Sequence, residues 1–141
     1  MNRLCLNLRS PSEDLETLRV FVEENALRAG LDEVQANRIM LVVEEATVNI
    51  IHHAYGGQGG KLELCCTPVQ GGFEIRLVDD GPPFNPLEAP GIDSVTDIAS
   101  QKIGGMGIPL IRGLTDVIRY HREGGQNVLT LCFLRKNGEG P

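Results

Sequence analysis

The sequence of 141 residues has few aromatic residues, no basic run and no long apolar segment. Aromatic residues make up 4% of the chain, and tryptophan is absent. Because the formal net charge is -6, the composition argues against a surface that binds nucleic acid. No apolar stretch reaches about 18 residues, and the amino terminus lacks the apolar core of a signal peptide. We therefore expect a cytoplasmic protein that has neither nucleic acid nor a membrane as its partner.

Cysteine is also scarce, and its four copies show no metal-binding spacing. They occur in strand-like runs, without the CxxC or Cys/His patterns of zinc sites. Adjacent strand residues point to opposite faces, so Cys65 and Cys66 cannot share one metal ion. We predict reduced cysteines that behave as small core residues. They are Cys5, Cys65, Cys66 and Cys132.

The rest of the composition, 41% hydrophobic and 23% charged, is that of an ordinary globular domain. A chain of this length can bury one core but not two, so we expect residues 1–141 to form a single domain. Hydrophobic periodicity and turn residues predict helices beside mostly hairpin-linked strands, which implies a two-layer α/β sandwich. The predicted helices cover about residues 10–30, 32–53 and 107–114, and the predicted strands cover about residues 3–9, 61–69, 72–79, 116–122 and 126–135.

The most informative segment is an apolar helix that carries a line of polar residues. Apolar side chains occupy nearly every direction around residues 39–51, so most of this helix should be buried. Glu45 and Asn49 are four residues apart and share a face, and Arg38 and His52 extend the same line. A carboxylate and an amide on a buried face are costly unless they meet a ligand, a metal or each other. The pattern predicts that this helix holds something polar.

A second candidate site lies at the end of the predicted strand 72–79. Ile75 and Leu77 mark the inward face, and the two-residue period carries Asp79 to the same side. Its carboxylate could accept a hydrogen bond from an exocyclic amine such as that of adenine, and Gly81 would leave space for a planar ring. Asp79 could equally cap the following turn, as Asp before Gly-Pro often does. The strand alone favours neither interpretation.

A third candidate site is the glycine-rich segment that leads into the last predicted helix. Glycines before a helix expose backbone N–H groups and the positive end of the helix dipole, which suits a phosphate group. The segment lacks the GK[ST] ending of a Walker A loop, and no strand leads directly into it as in a Rossmann fold. A plain turn has the same pattern, so the segment alone does not establish a phosphate site. Its candidate residues are Gly104, Gly105, Met106, Gly107 and Ile108.

Residues 80–105 separate the second and third sites, are rich in proline and glycine, and have no clear period. A long irregular stretch inside a compact domain is unusual and often functional. We expect residues 82–105 to form a lid over the ligand. Lys102, in this lid, is interpreted either as a phosphate contact or as a solvated lysine on a loop.

The three sites, taken in order, resemble the nucleotide-binding boxes of the GHKL (Bergerat-fold) ATPase and kinase superfamily. They resemble most closely the boxes of its small bacterial anti-sigma-factor serine kinases. EEATVNIIHHAYGG is similar to the N box, VDDGPPFNP to the first glycine box, and GGMGIPLIRGLTDVIRY to the second. The resemblance implies a mixed, largely antiparallel sheet with a layer of helices. It also implies ATP or ADP with Mg²⁺, bound between the helices and the lid.

The resemblance implies a role for each matching residue. Glu45 matches the general base of the family, Asn49 the ligand of Mg²⁺, and Asp79 the residue that reads adenine. His53 also matches a family position, although helical geometry places His52 closer to the line of Glu45. The other nucleotide contacts that it implies are Gly81, Gly105, Gly107 and Thr130. For Thr130, an ordinary cross-strand threonine is an equally good interpretation.

The function implied by the resemblance is that of a Mg-ATP-dependent serine/threonine protein kinase that acts as an anti-sigma factor. Its expected partners are a small STAS-type anti-sigma-factor antagonist, which it phosphorylates, a sigma factor, and a second copy of the chain in a homodimer. The alternative is a nucleotide-dependent module that sequesters a regulatory partner with little or no kinase activity. Glu45 favours the kinase, because sequestration requires no base.

Overall fold

The computed structural model describes residues 3–9, 14–56, 60–88 and 107–135. Within these ranges the chain forms five strands, three α-helices and one 3-10 turn. In chain order they are β1 (Leu4–Leu8), α1 (Leu15–Arg28), α2 (Glu33–Tyr55), β2 (Leu62–Val69), β3 (Gly72–Asp79), the 3-10 turn (Pro86–Glu88), α3 (Gly107–Leu114), β4 (Val117–Glu123) and β5 (Gln126–Leu134). The predicted elements agree with these bounds to within about two residues, except that α1 begins at Leu15, after its N-cap Asp14, and not at the predicted residue 10.

The strands form one sheet in the order β1-β2-β3-β5-β4. Every pairing between the described strands is antiparallel, so the predicted α/β class is confirmed, whereas the parallel pairing expected of a mixed sheet is absent from these strands. Alternate residues of the central strands, such as Leu64, Leu77 and Leu131, are fully buried in the core. The same residues mark the inner face of the sheet, because successive strand residues point to opposite sides.

Helix α2 contributes the largest part of the helical layer to the core. Asp32 is its N-cap and accepts a hydrogen bond from the backbone N–H of Gln35 at 2.8 Å. The helix ends at Gly56, which adopts the left-handed conformation (φ 59°) that favours glycine. No helix among the described residues is long and apolar enough to cross a membrane. The helical residues buried in the core are Leu18, Val22, Ala26, Ala36, Ile39, Val42, Val43, Ala46 and Ile111.

The prediction of reduced cysteines is wrong for Cys5 and Cys65, which form a disulfide. These two residues lie directly opposite each other on β1 and β2, with Cα atoms 4.0 Å apart. Sequence could not reveal the pair, because it depends on the register of two strands whose cysteines are 60 positions apart. Cys66 and Cys132 are free thiols, and burial raises the pKa of Cys66 to about 12.

Candidate functional site

A small cavity of about 30 Å³ lies between α2, the end of β3 and the start of β5. Three polar residues of its lining, Asn49, Asp79 and Asn127, are each buried to at least 95%. Burial of three polar side chains around one space is expensive unless their hydrogen-bonding groups find partners. The apolar part of the lining includes Ala46, Ile50, Ala54, Ile111 and Leu129.

Asp79 points inward, as its parity predicts, and lines the cavity. Its Oδ1 accepts a hydrogen bond from the backbone N–H of Gly81 at 2.9 Å and another from Nδ2 of Asn127 at 3.0 Å. The first of these bonds is the turn cap that the sequence suggested. Oδ2 accepts no hydrogen bond from the described residues, so one oxygen of this carboxylate remains for a ligand.

Asn127 organises the polar floor of the cavity. It lies opposite Asp79 in the β3–β5 register. Its Nδ2 also donates to the carbonyl of Pro82 at 2.8 Å, and its Oδ1 accepts from the backbone N–H of Phe84 at 3.3 Å and from the Tyr120 hydroxyl. One amide thus fixes the turn after β3 and the adjacent strand β4.

Sequence reasoning missed Asn127, although a signal was present. Asn127 has the same parity along β5 as the core residues Leu129 and Leu131, so it was bound to face inward. Thr130 has the opposite parity, and its register partners are Arg76 and Arg119 on the outer face of the sheet. The structure therefore does not bring Thr130 to the cavity, and the interpretation as a cross-strand threonine is the one that agrees with its position.

The polar line on α2 is only partly buried. Asn49 is 5% exposed and its Nδ2 is buried without a hydrogen-bond partner in the described structure. Glu45, one turn earlier, is half-buried and does not line the cavity, while Arg38 and His52 are exposed. The expected buried position holds for Asn49 and only in part for Glu45, because the line follows the border of the buried face of α2. Asn49 lies on the inner side of that border.

Glu44 and Glu45 are neighbours with different surroundings. The Glu44 carboxylate forms an ion pair with Nε of Arg19 on α1 at 3.2 Å. Glu45 forms no ion pair or hydrogen bond with the described residues. The first glutamate therefore joins two helices, whereas the second is available to a ligand or substrate.

His53, and not His52, belongs to the cavity. Its ring stacks on Phe84, with the centroids 4.2 Å apart and the planes inclined by 11°. His52 meets the edge of the His53 ring at a centroid distance of 5.0 Å. Although His53 is exposed, its pKa is lowered, first by partial desolvation and then by the neighbouring His52, so the neutral imidazole is favoured. This stack closes the outer rim of the cavity.

The third candidate site is only partly visible. Gly107 and Ile108 form the start of α3, and Ile111, one turn later, lines the cavity. The second turn of α3 therefore meets the cavity that Asn49 and Asp79 also line. The candidates Lys102, Gly104, Gly105 and Met106 lie outside the described residues, as does the predicted lid from residue 89 to residue 105.

Gly81 is buried, but it is not part of the cavity lining. A Cβ atom at this position would overlap Cβ of Ala54 on α2 and would lie 2.7 Å from Cα of the same residue. The space that a side chain would need is therefore filled by the helix. In this structure the absence of a side chain at Gly81 serves the close approach of the turn to α2.

Gly81→Ala is expected to destabilise the protein by about 1–3 kcal/mol, the usual cost of overpacking a core. Gly113→Ala is the matched control, because a Cβ at Gly113 on α3 would meet no atom within 4 Å. Alanine should be neutral there or stabilise the helix by up to about 1 kcal/mol. Urea unfolding of both variants measures the difference. An unchanged unfolding midpoint for Gly81→Ala would contradict the packing argument.

Comparison with known proteins gives a consistent result. The family described as "Histidine kinase-like ATPase domain" matches residues 8–133. A serine-protein kinase RsbW of Listeria monocytogenes is 27% identical over 98% of this chain and 92% of its own length. A protein of the same name from Halalkalibacterium halodurans is 29% identical over 94% of this chain and 83% of its own length.

Two solved structures share the fold. The RsbU and RsbW domains of a Mycobacterium tuberculosis protein superpose with a TM-score of 0.66 at 16% identity. That match covers 95% of this chain but only 32% of the longer Mycobacterium chain. The histidine kinase AdeS of Acinetobacter baumannii superposes with a TM-score of 0.50 at 18% identity, over 97% of this chain and 69% of AdeS. At these identities the comparison establishes the shared fold alone.

Proposed function

The chain belongs to the family of histidine kinase-like ATPase domains, and from this premise we propose that it is a Mg-ATP-dependent serine/threonine protein kinase that acts as an anti-sigma factor. Its substrate is a small STAS-type anti-sigma-factor antagonist, and its other partner is a sigma factor. The names of the curated relatives support this reading. A single domain, a homodimeric assembly and a cytoplasmic location belong to the same proposal.

The observation that carries the proposal is the buried Nδ2 of Asn49, which has no hydrogen-bond partner in the described structure. A buried polar group without a partner costs roughly 1–3 kcal/mol, so its presence in a cavity wall fits a group that is satisfied by a ligand. The unpaired atom is Nδ2, a hydrogen-bond donor that an acceptor such as a phosphate oxygen would satisfy. Oδ1 of the same carboxamide is a hard ligand that adds no charge, so it fits Mg²⁺. Asn49 would hold the ion, which supplies charge neutralisation to the phosphates when it is bound.

Asp79 reads the adenine base in this proposal. Its Oδ1 is already occupied by Gly81 and Asn127, which leaves Oδ2 to accept a hydrogen bond from the exocyclic amine. The cavity of about 30 Å³ has room for about one water molecule. A purine therefore enters only when the rim opens, and Phe84, stacked on His53, is the wall that must move.

The remaining roles concern the phosphates and the proton. Glu45, one turn from Asn49, accepts the proton of the attacking serine or threonine hydroxyl. Backbone N–H groups at the start of α3 bind phosphate, because they have no partners inside the helix. Lys102 adds a positive charge to this phosphate-binding site. The residues assigned to phosphate are Gly104, Gly105, Met106, Gly107 and Ile108.

The proposal is tested by incubating the protein with Mg-ATP and the small STAS-type protein encoded beside it. We expect phosphoserine or phosphothreonine on that protein, detected by mass spectrometry. We also expect Mg-ATP at about 100 times its Kd to stabilise the kinase by about 2.7 kcal/mol, which raises its melting temperature. An unmodified partner that stays in a tight complex would support the sequestering module instead. No thermal shift with Mg-ATP would contradict both functions.

A further inference from the structure

The outer face of the sheet carries a group of donor atoms that the proposed kinase function does not use. Sγ of Cys5 and Sγ of Cys65, which are joined in the disulfide, and a carboxylate oxygen of Glu63 all lie within 4.8 Å of one another. Cys65 and Glu63 are two residues apart on β2, so they share a face, and Cys5 lies opposite Cys65 on β1. Strand register therefore makes these three residues neighbours, and reduction of the disulfide would free the two sulfurs as donors.

We propose that Cys5, Cys65 and Glu63 form a redox-gated site for a thiophilic divalent cation, with Zn²⁺ as the ion that the donor set favours. Two thiolates and one carboxylate are ligand types that zinc accepts in a tetrahedral site. The fourth position is left to water, because Cys5 is exposed on an edge strand. The disulfide in this structure is the oxidised, metal-free form of the site.

Reduction of the disulfide and binding of the metal require no further group from the protein. A dithiol reduces the disulfide to two thiols and is itself oxidised to a disulfide. Zn²⁺ then displaces the two thiol protons and binds the thiolates. In the reverse direction, oxidised glutathione takes two electrons from the thiolates and gains two protons. It becomes two reduced thiols, while the protein disulfide forms and Zn²⁺ is released.

The surroundings of Glu63 agree with a ligand role. Glu63 makes no ion pair or hydrogen bond with the described residues. Glu74, on the same face of the sheet, instead forms an ion pair with Arg119 at 3.7 Å and contacts the Cys132 thiol. On this face of the sheet, Glu74 is therefore paired, whereas Glu63, beside Cys5 and Cys65, is not.

The test uses the full chain and Zn²⁺ alone as the probe, and it does not depend on nucleotide binding. The protein is first reduced with a dithiol, then incubated with Zn²⁺ and passed through a desalting column that removes unbound zinc. It is expected to retain about one zinc ion per chain. The same protein after oxidation by glutathione disulfide should retain none. Zinc is measured by inductively coupled plasma mass spectrometry and by competition with a chromogenic chelator.

Variants separate this site from other donors. Cys5→Ser and Cys65→Ser should each abolish zinc retention, and Glu63→Gln should weaken zinc binding by about tenfold or more. Cys132→Ser and Glu74→Gln are the matched controls on the same face and should bind zinc like the wild type. Circular dichroism and urea unfolding check the fold of each variant. The comparison of reduced and oxidised wild-type protein tests the proposal even if a variant does not fold.

Three results would overturn the proposal. They are a reduced wild-type protein that retains no zinc, equal retention by the reduced and oxidised forms, and loss of zinc from the Cys132→Ser control but not from Cys5→Ser. The first would leave Cys5–Cys65 as a structural disulfide only. Because no step involves ATP, failure here would leave the proposed kinase function untouched, and failure of the kinase assay would leave the zinc site untouched.

Discussion

Glu45→Gln is expected to lower the rate of phosphotransfer to the antagonist by about 10²- to 10⁴-fold, the usual contribution of a positioned general base. Glutamine keeps the size and the hydrogen-bonding capacity of the side chain but cannot accept a proton at neutral pH. Since Glu45 does not line the cavity, the affinity for Mg-ATP should stay near that of the wild type. The loss should therefore appear in kcat and not in nucleotide binding.

The neighbouring Glu44→Gln variant is the control for this experiment. It removes one charge from the same turn of the helix and loses only the ion pair with Arg19. Both side chains of that pair are partly exposed, and such pairs contribute roughly 0–1 kcal/mol. Kinase activity of Glu44→Gln should match that of the wild type. A Glu45→Gln enzyme that is equally active would exclude Glu45 as the base and favour the sequestering module.

Asp79→Asn is expected to weaken ATP binding by about 10- to 100-fold while the fold persists. The asparagine can keep an oxygen at the position of Oδ1, where it still accepts from the Gly81 N–H and from Asn127. At the position of Oδ2 it places an NH₂ group. This group and the exocyclic amine of adenine are both donors, so they cannot form a hydrogen bond. The variant thus changes the recognition of the base and leaves the floor of the cavity intact.

Asp80→Asn is the matched control for Asp79→Asn. Asp80 is the next residue, is exposed, and accepts a hydrogen bond from Nε2 of Gln126 at 2.8 Å. Its substitution changes the net charge by the same amount without touching the cavity. Isothermal titration with Mg-ATP measures both affinities, and urea unfolding shows whether stability is retained. Equal affinity losses for the two variants would mean that charge alone matters, which would contradict base recognition by Asp79.

The sequence by itself determined the class of the fold and most element bounds. These signals are local and can be identified in a single sequence. They are the apolar period of α2, the N-cap Asp32 and the turn glycines. Parity along a strand is also local, so it correctly carried Asp79 inward and would have done the same for Asn127. The family followed from the order of three short motifs, each of which is weak alone.

Only the tertiary structure decided which residues meet. The border of the buried face of α2 separates Asn49 from Arg38 and His52, and its position depends on how the helix packs on the sheet. The disulfide between Cys5 and Cys65 depends on the register of β1 against β2. Gly81 approaches Ala54 because the turn after β3 packs on α2. These are long-range contacts, and a linear pattern does not encode the distances between segments that fold together.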